Sequence, residues 1–80
     1  MSNLSFTVSC SLDCSGHLCP VPILMTEEKM TDLKSGDVLE VIFTDPGARP
    51  DLEAWCRVTR NEALSFKSEK FKGFAYIRKR

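Results

Sequence analysis

Apolar and polar residues alternate through the first dozen positions of the chain. The apolar residues are separated by single serines or threonines, and they are Leu4, Phe6, Val8, Cys10 and Leu12. A period of two predicts a β-strand with one buried face and one face in solvent. The sheet is therefore expected to be covered on one side only, and Cys10 to be a small residue of the core.

The pattern changes to a helical period after residue 19. Positions that suit a packed interface then recur on one arc of a helical wheel, at Ile23, Thr26, Met30 and Leu33. This arc predicts a helix over residues 20–34 that packs on the sheet, and Gly36 is typical of a residue that ends a helix. Pro20 and Pro22 suit the first turn, because an N–H group there has no helical partner to lose.

The second half of the chain predicts one more helix and three strands. Residues 38–44 are almost continuously apolar, which favours an interior strand that lies parallel to the first after a right-handed crossover. Residues 49–60 have helical spacing with Cys56 on the inner side, and residues 62–69 and 74–79 form a predicted hairpin. The fold class is therefore α+β, a two-layer α/β sandwich in the order β-α-β-α-β-β, with a four-stranded mixed sheet and two helices on one face.

The length of 80 residues predicts a single domain over residues 1–80. No apolar run approaches the ~18 residues that span a bilayer, and the first residues lack the basic start and apolar stretch of an export signal. We therefore expect a cytoplasmic protein without membrane insertion. In that compartment the four cysteines would be reduced thiols rather than disulfides.

Charge is distributed unevenly, although the formal net charge is zero. The first 45 residues hold seven acidic and two basic side chains, and the remainder hold four acidic and nine basic ones. We call six of these residues the basic C-terminal edge: Lys67, Lys70, Lys72, Arg78, Lys79 and Arg80. This edge could bind RNA or an acidic protein, or its lysines could simply protect the sheet from pairing with another chain.

Cys19 stands where the predicted helix begins. The first N–H groups of a helix have no partner within it, and together with the helix dipole they favour a negative charge. Because Pro20 and Pro22 lack an N–H group, Val21 and Ile23 would supply most of the donors. Cysteines at helix N-termini have a pKa lowered from about 8.5 to roughly 3.5–7.5. The sequence thus predicts an exposed, nucleophilic thiolate at Cys19.

Three residues of the preceding loop could support this cysteine. Gly16 permits a tight or left-handed backbone. His17 could raise the thiolate fraction of Cys19 as a cation or a base, or it could point to water. Cys14 could act as a resolving thiol for an oxidised Cys19 if the loop folds back.

We expect neither a metal nor a cofactor. A structural zinc site needs four ligands, commonly in two closely spaced pairs, and Cys14 and Cys19 have no second pair. The sequence contains no G-x-S-x-G, no phosphate-binding loop and no second histidine, which argues against a hydrolase or nucleotide enzyme. Asp45 and Asp51 need no catalytic role, since aspartate is favoured in turns and at helix starts.

Three apolar residues lie off the packing arc of the first helix, beside Cys19. They are Val21, Leu24 and Met25. An exposed apolar group next to a reactive sulfur could dock a partner protein, or neighbouring loops could cover it. The sequence leaves both interpretations open.

Several short motifs resemble the TusA (SirA-like) family of sulfur carrier proteins, in order and at matching spacing from Thr7 onward. They are Leu12-Asp13, Gly16, Cys19-Pro20-Val21-Pro22, Ser35-Gly36-Asp37, Thr44-Asp45-Pro46-Gly47-Ala48, Asp51, Trp55-Cys56 and Ile77-Arg78-Lys79. The resemblance implies the two-layer fold, similar to the C-terminal domain of a translation initiation factor. It also implies that Cys19 carries a persulfide, loaded by a cysteine desulfurase or rhodanese and passed to a DsrE-like acceptor, for example towards thiolated tRNA.

Two positions depart from the best-known members of this family. Val21 stands between the prolines where they have Glu, and His17 stands where they have Leu. These differences point away from the tRNA-thiolation branch and leave sulfur oxidation, molybdenum-cofactor supply and selenium metabolism open. We expect a sulfurtransferase-like carrier rather than a stand-alone enzyme, and no direct binding of nucleic acid. The alternative is a non-catalytic regulatory module that binds RNA or protein through the basic C-terminal edge.

Overall fold

Strands and helices follow one another in the predicted order in the computed structural model, which describes residues 6–80. The elements are β1 (Cys10–Asp13), α1 (Val21–Met30), β2 (Val38–Phe43), α2 (Ala48–Thr59), β3 (Glu62–Glu69) and β4 (Lys72–Arg78). Neither helix has the length and apolar character that crossing a bilayer would require.

The four strands form one mixed sheet in the order β1-β2-β4-β3. β1 runs parallel to β2, with Cys10 opposite Leu39, and the other two pairs are antiparallel. The hairpin of β3 and β4 places β4 beside β2, so that β2 is an interior strand. The sequence-based expectation of an α+β fold with a four-stranded mixed sheet is confirmed.

Both helices pack against the same face of this sheet. The shared core holds Met30 of α1 together with Leu52 and Cys56 of α2, against alternate residues of the two central strands: Leu39, Val41, Phe43, Ala75 and Ile77. Cys10 is half-buried against this core, and Cys56 is only 3% exposed, as predicted for both cysteines.

The first strand and the first helix are shorter than the sequence pattern predicts. The sheet begins at Cys10, and Leu4 lies outside the described residues. The helix ends at Met30 rather than at residue 34, because the N–H groups of residues 31–33 bond to carbonyls three residues earlier and tighten the last turn.

Lys79 secures this early end of α1. Its ammonium group, which comes from the residue after β4, donates hydrogen bonds to the carbonyl oxygens of Met30, at 2.8 Å, and of Leu33, at 2.6 Å. A cation is favoured at the negative end of a helix, where the last carbonyls have no helical partner. The charge of Lys79 therefore joins two distant parts of the fold and is not a free member of the basic C-terminal edge.

The face of the sheet turned away from the helices carries its own small aromatic cluster. Tyr76 is 2% exposed, its hydroxyl donates to Glu40 at 2.8 Å, and its ring lies 5.5 Å from that of Phe6. The ammonium of Lys67 lies over the rings of Phe74 and Tyr76, at 5.5 and 5.8 Å. This second face is thus polar at its rim but covered at its centre.

We expect Lys79→Met to lower the free energy of unfolding by about 1–3 kcal/mol, because two charge-assisted hydrogen bonds are lost at the end of α1. Urea unfolding followed by circular dichroism measures the change. Lys34→Met is the matched control, since the Lys34 side chain is exposed and has no hydrogen bond within residues 6–80. Equal stability of the two variants would contradict the bracing role of Lys79.

Candidate functional site

The loop that carries Cys19 is attached to the loop that follows β2. Because β1 and β2 are parallel, their carboxyl ends meet at the same edge of the sheet. The N–H group of Gly16, whose φ of 83° lies in the left-handed region, donates to the hydroxyl of Thr44 at 2.8 Å. Gly16 thus turns the chain as predicted and also ties the two loops together.

Two carboxylates hold Cys19 in place. Asp45, in the loop after β2, accepts a hydrogen bond from the backbone N–H group of Cys19 at 2.9 Å. Asp51, in the first turn of α2, accepts a hydrogen bond from the Cys19 thiol itself. Cys19 is half-buried, and Asp51 is exposed. The sulfur therefore lies between two helix starts, with a carboxylate as its nearest polar neighbour.

These carboxylates overturn the expected thiolate. The hydrogen bond to Asp51 is the main factor that raises the pKa of Cys19 to about 11, followed by desolvation and by the charges of Asp51 and Asp45. The predicted donors are also engaged elsewhere: the N–H group of Val21 bonds to the Leu18 carbonyl at 2.9 Å. That of Ile23 bonds to the Pro20 carbonyl at 3.1 Å. The resting group at neutral pH is a thiol bonded to a carboxylate.

The two prolines occupy the predicted place at the helix start. Pro20 is the residue immediately before α1, and Pro22 lies in its first turn. Pro22 is also fully buried, and its carbonyl accepts a hydrogen bond from the buried Thr26 hydroxyl at 2.8 Å. Pro22 therefore anchors the start of α1 in the core, and the exposed Pro20 separates Cys19 from the helix.

His17 and Cys14 are not brought to the sulfur by hydrogen bonds. The side chain of His17 is exposed, and the hydrogen bonds of Cys19 within residues 6–80 that involve its thiol and N–H group go to aspartates. Cys14 is 0% exposed in the core, and burial raises the pKa of its thiol. All four cysteines are free. A resolving role for Cys14 would require the loop to open and expose it.

Exposed apolar side chains lie close to Cys19 along the chain, in the residue before it and in the first turns of α1. Leu18 is 72%, Val21 38% and Leu24 59% exposed, and we call these three residues the apolar collar. Met25, which the sequence grouped with them, is half-buried and packs against the core instead. No described loop covers the apolar collar. The expectation that neighbouring loops could cover these residues is therefore wrong for Val21 and Leu24.

The sequence reasoning missed three residues of this site. Asp45 and Asp51 belong to the motifs of the family resemblance, but their residue types indicate only a turn and a helix start. Nothing in their local sequence separates that role from contact with Cys19. Leu18 could have been found, because an apolar residue directly before a loop cysteine has no partner in the predicted helix. Within residues 6–80, no group of three or more His, Cys, Asp or Glu side chains could hold a metal ion.

Comparisons with known proteins indicate the family of this chain. Residues 11–79 match the family model described as Sulfurtransferase TusA. The sulfur carrier protein TusA of Allochromatium vinosum is 43% identical over 68 residues, which are 85% of this chain and 90% of that protein. YrkF of Bacillus subtilis is 48% identical over 58 residues, 72% of this chain, but the chain spans only 31% of YrkF.

A solved structure supports the fold. The crystal structure of a SirA-like protein from Desulfitobacterium hafniense is similar with a TM-score of 0.77, at 17% sequence identity. The similarity covers 86% of this chain and 95% of that one.

We expect Asp51→Asn to lower the pKa of Cys19 from about 11 towards the ordinary value of about 8.5, because it removes the main acceptor and a negative charge. Asp45→Asn should lower it less. The measurement is the rate of Cys19 alkylation by iodoacetamide as a function of pH, read by peptide mass. Glu53→Gln, two residues further along the same helix, is the carboxylate control. An unchanged midpoint in Asp51→Asn would contradict the assigned cause.

Proposed function

This chain belongs to the TusA family, and we propose that it is a sulfur carrier that accepts persulfide sulfur on Cys19 and relays it to an acceptor protein. The observation that carries the proposal is the placement of the Cys19 thiol at an accessible edge, framed by the apolar collar. Cys14 and Cys56 are buried in the core, and Cys10 is half-buried against it. Among the four thiols, Cys19 is therefore the one best placed to meet another protein.

The proposed chemistry is a displacement between sulfur atoms. A thiol can take the terminal sulfur of a donor persulfide and later yield it to a second thiol, by the logic of thiol–disulfide exchange. Such a carrier must let its sulfur enter the site of a larger protein. The position of Cys19 just before the start of α1, next to exposed apolar side chains, supports this requirement.

We propose a cysteine desulfurase or a rhodanese as the donor and a DsrE-like protein as the acceptor, in the cytoplasm. Family membership supports two protein partners, a donor and an acceptor. The apolar collar supports one docking surface that both partners use in turn. Val21 and His17, which depart from the tRNA-thiolation pattern, favour a branch in sulfur oxidation, molybdenum-cofactor supply or selenium metabolism.

The second candidate is a non-catalytic module that binds RNA or an acidic protein through the basic C-terminal edge. Half of that edge is already engaged within the fold. Arg78 pairs with Glu62 at 3.0 Å, Lys67 lies over two aromatic rings, and Lys79 holds the end of α1. The exposed remainder is Lys70, Lys72 and Arg80. This reduced patch makes the carrier the better-supported function.

Incubation with a cysteine desulfurase and cysteine should add about 32 Da, the mass of one sulfur atom, to Cys19 by sulfur displacement. Intact-mass and peptide analysis with the other thiols blocked measures the addition, and Cys19→Ser is the control that should gain nothing. A wild-type protein that gains no sulfur would count against the carrier. RNA binding that weakens with salt and survives Cys19→Ser would favour the alternative module, and a Cys14–Cys19 disulfide would favour a redox switch.

Leu24→Glu should weaken binding to the sulfur donor by about tenfold, which corresponds to about 1.4 kcal/mol. The reason is that a charge enters the apolar collar while the fold stays intact. Val58→Glu is the matched control, because Val58 is 82% exposed on α2 and lies outside the apolar collar. Titration calorimetry measures both affinities, and equal binding by the two variants would remove the apolar collar from the docking surface.

A further inference from the structure

We infer that Asp51 moves the proton of Cys19 in both directions, as the base when sulfur is loaded and as the acid when sulfur is released. The inference rests on the proposed carrier function and assigns a second group to its chemistry. It starts from the contact of the Asp51 carboxylate with the Cys19 thiol. A carboxylate that accepts a hydrogen bond from the attacking atom meets the geometric requirement of a general base.

Asp51 is held where it can exchange protons with water. It lies in the first turn of α2, where its own N–H group reaches the Gly47 carbonyl, and its side chain is exposed. The ion pairs within residues 6–80 join Arg49 to Glu53 and Arg78 to Glu62, and neither involves Asp51. Asp51 is therefore available both to take a proton from Cys19 and to return one.

Loading requires a base, because the resting sulfur is protonated. As Asp51 takes the thiol proton, the electron pair of Cys19 Sγ forms a bond to the terminal sulfur of the donor persulfide. The S–S bond of the donor breaks, and its electron pair leaves on the donor thiolate. That thiolate then takes the proton from Asp51. A thiol and a persulfide give a persulfide and a thiol, so no oxidant or reductant is consumed.

Release requires an acid that protonates the leaving sulfur of Cys19. The acceptor sulfur attacks the terminal sulfur on Cys19, and the electron pair of the breaking S–S bond leaves on Cys19 Sγ. A thiol of high pKa is a slow leaving group, and the pKa of Cys19 is raised to about 11, chiefly by its hydrogen bond to Asp51. The same carboxylate, once protonated by the incoming acceptor thiol, lets Cys19 leave as a neutral thiol.

Asp45 does not share this role. The Asp45 carboxylate accepts a hydrogen bond from the backbone N–H group of Cys19 at 2.9 Å and so fixes the position of Cys19. Asp51, in contrast, contacts the reacting sulfur. Glu53 lies on the same helix as Asp51 but pairs with Arg49. Glu53→Gln therefore removes a carboxylate from α2 without touching the site, which makes it the matched control.

The experiment measures release of sulfur from Cys19 to cyanide near neutral pH, where hydrogen cyanide brings a proton for Asp51 as an acceptor thiol does. Cyanide takes the terminal sulfur as thiocyanate and leaves the Cys19 sulfur behind as a thiol. Wild type, Asp51→Asn, Asp51→Glu and Glu53→Gln are loaded with inorganic polysulfide, and thiocyanate is followed over a single turnover. We expect release to fall about a hundredfold in Asp51→Asn, to recover in large part in Asp51→Glu, and to stay at the wild-type rate in Glu53→Gln. Asp51→Ala provides a second carboxylate-free variant should Asp51→Asn not fold.

The direction of the effect decides the proposal. If Asp51 only suppressed ionisation of Cys19, its loss would make Cys19 a better leaving group and release would be equal or faster; that result would overturn the proton relay. Slower release together with faster alkylation of the unloaded thiol in Asp51→Asn supports it. A wild-type protein that holds no sulfur on Cys19 would overturn the carrier function as well, whereas normal release from a loaded Asp51→Asn would overturn the relay alone.

Discussion

The parallel pairing of β1 with β2 is the constraint on which the site depends. Hydrogen bonds flank the short β1, from the N–H group of Ser9 to the Val38 carbonyl at 2.8 Å and from that of Cys14 to the Ile42 carbonyl at 2.7 Å. Parallel strands bring their carboxyl ends to one edge of a sheet, and here each end leads into a helix start. Cys19 and Asp51 are separated by 32 residues and meet because of this pairing.

The electrostatic character of the sulfur follows from what each helix start contributes. A helix N-terminus offers roughly half of a positive elementary charge, and in α1 two of its early N–H donors are missing because of proline. The start of α2 brings a full negative charge on Asp51 into contact with the thiol, and Asp45 adds a second nearby. The hydrogen bond to Asp51, followed by desolvation and by these two charges, raises the pKa of Cys19 and outweighs a weakened half-charge. The thiol therefore stays protonated where the helix dipole alone would favour a thiolate.

The remainder of the fold fixes α1 and α2 on one face of the sheet, and so positions the edge that carries Cys19. α1 is held at its start by the buried Pro22 and at its end by Lys79, while α2 buries Leu52 and Cys56 in the shared core. Since both ends of α1 are fixed, the helix keeps its position although Leu24 on its outer side is exposed. A small domain can thus present apolar surface beside a reactive atom while its core remains closed.

The sequence by itself determined the elements and their order, because periodicity and the Pro and Gly positions act within a few residues. It placed Cys19 at a helix start, assigned Cys10 and Cys56 to the core, and pointed to the sulfur carrier family. It could not determine where α1 ends, since the Lys79 ammonium that holds that end comes from the far end of the chain. It also could not assign Asp51 to the sulfur, or separate Met25 from the exposed collar. Those contacts arise only when the parallel strands pair and the helices pack, since charge and burial depend on distances in space that local patterns do not contain.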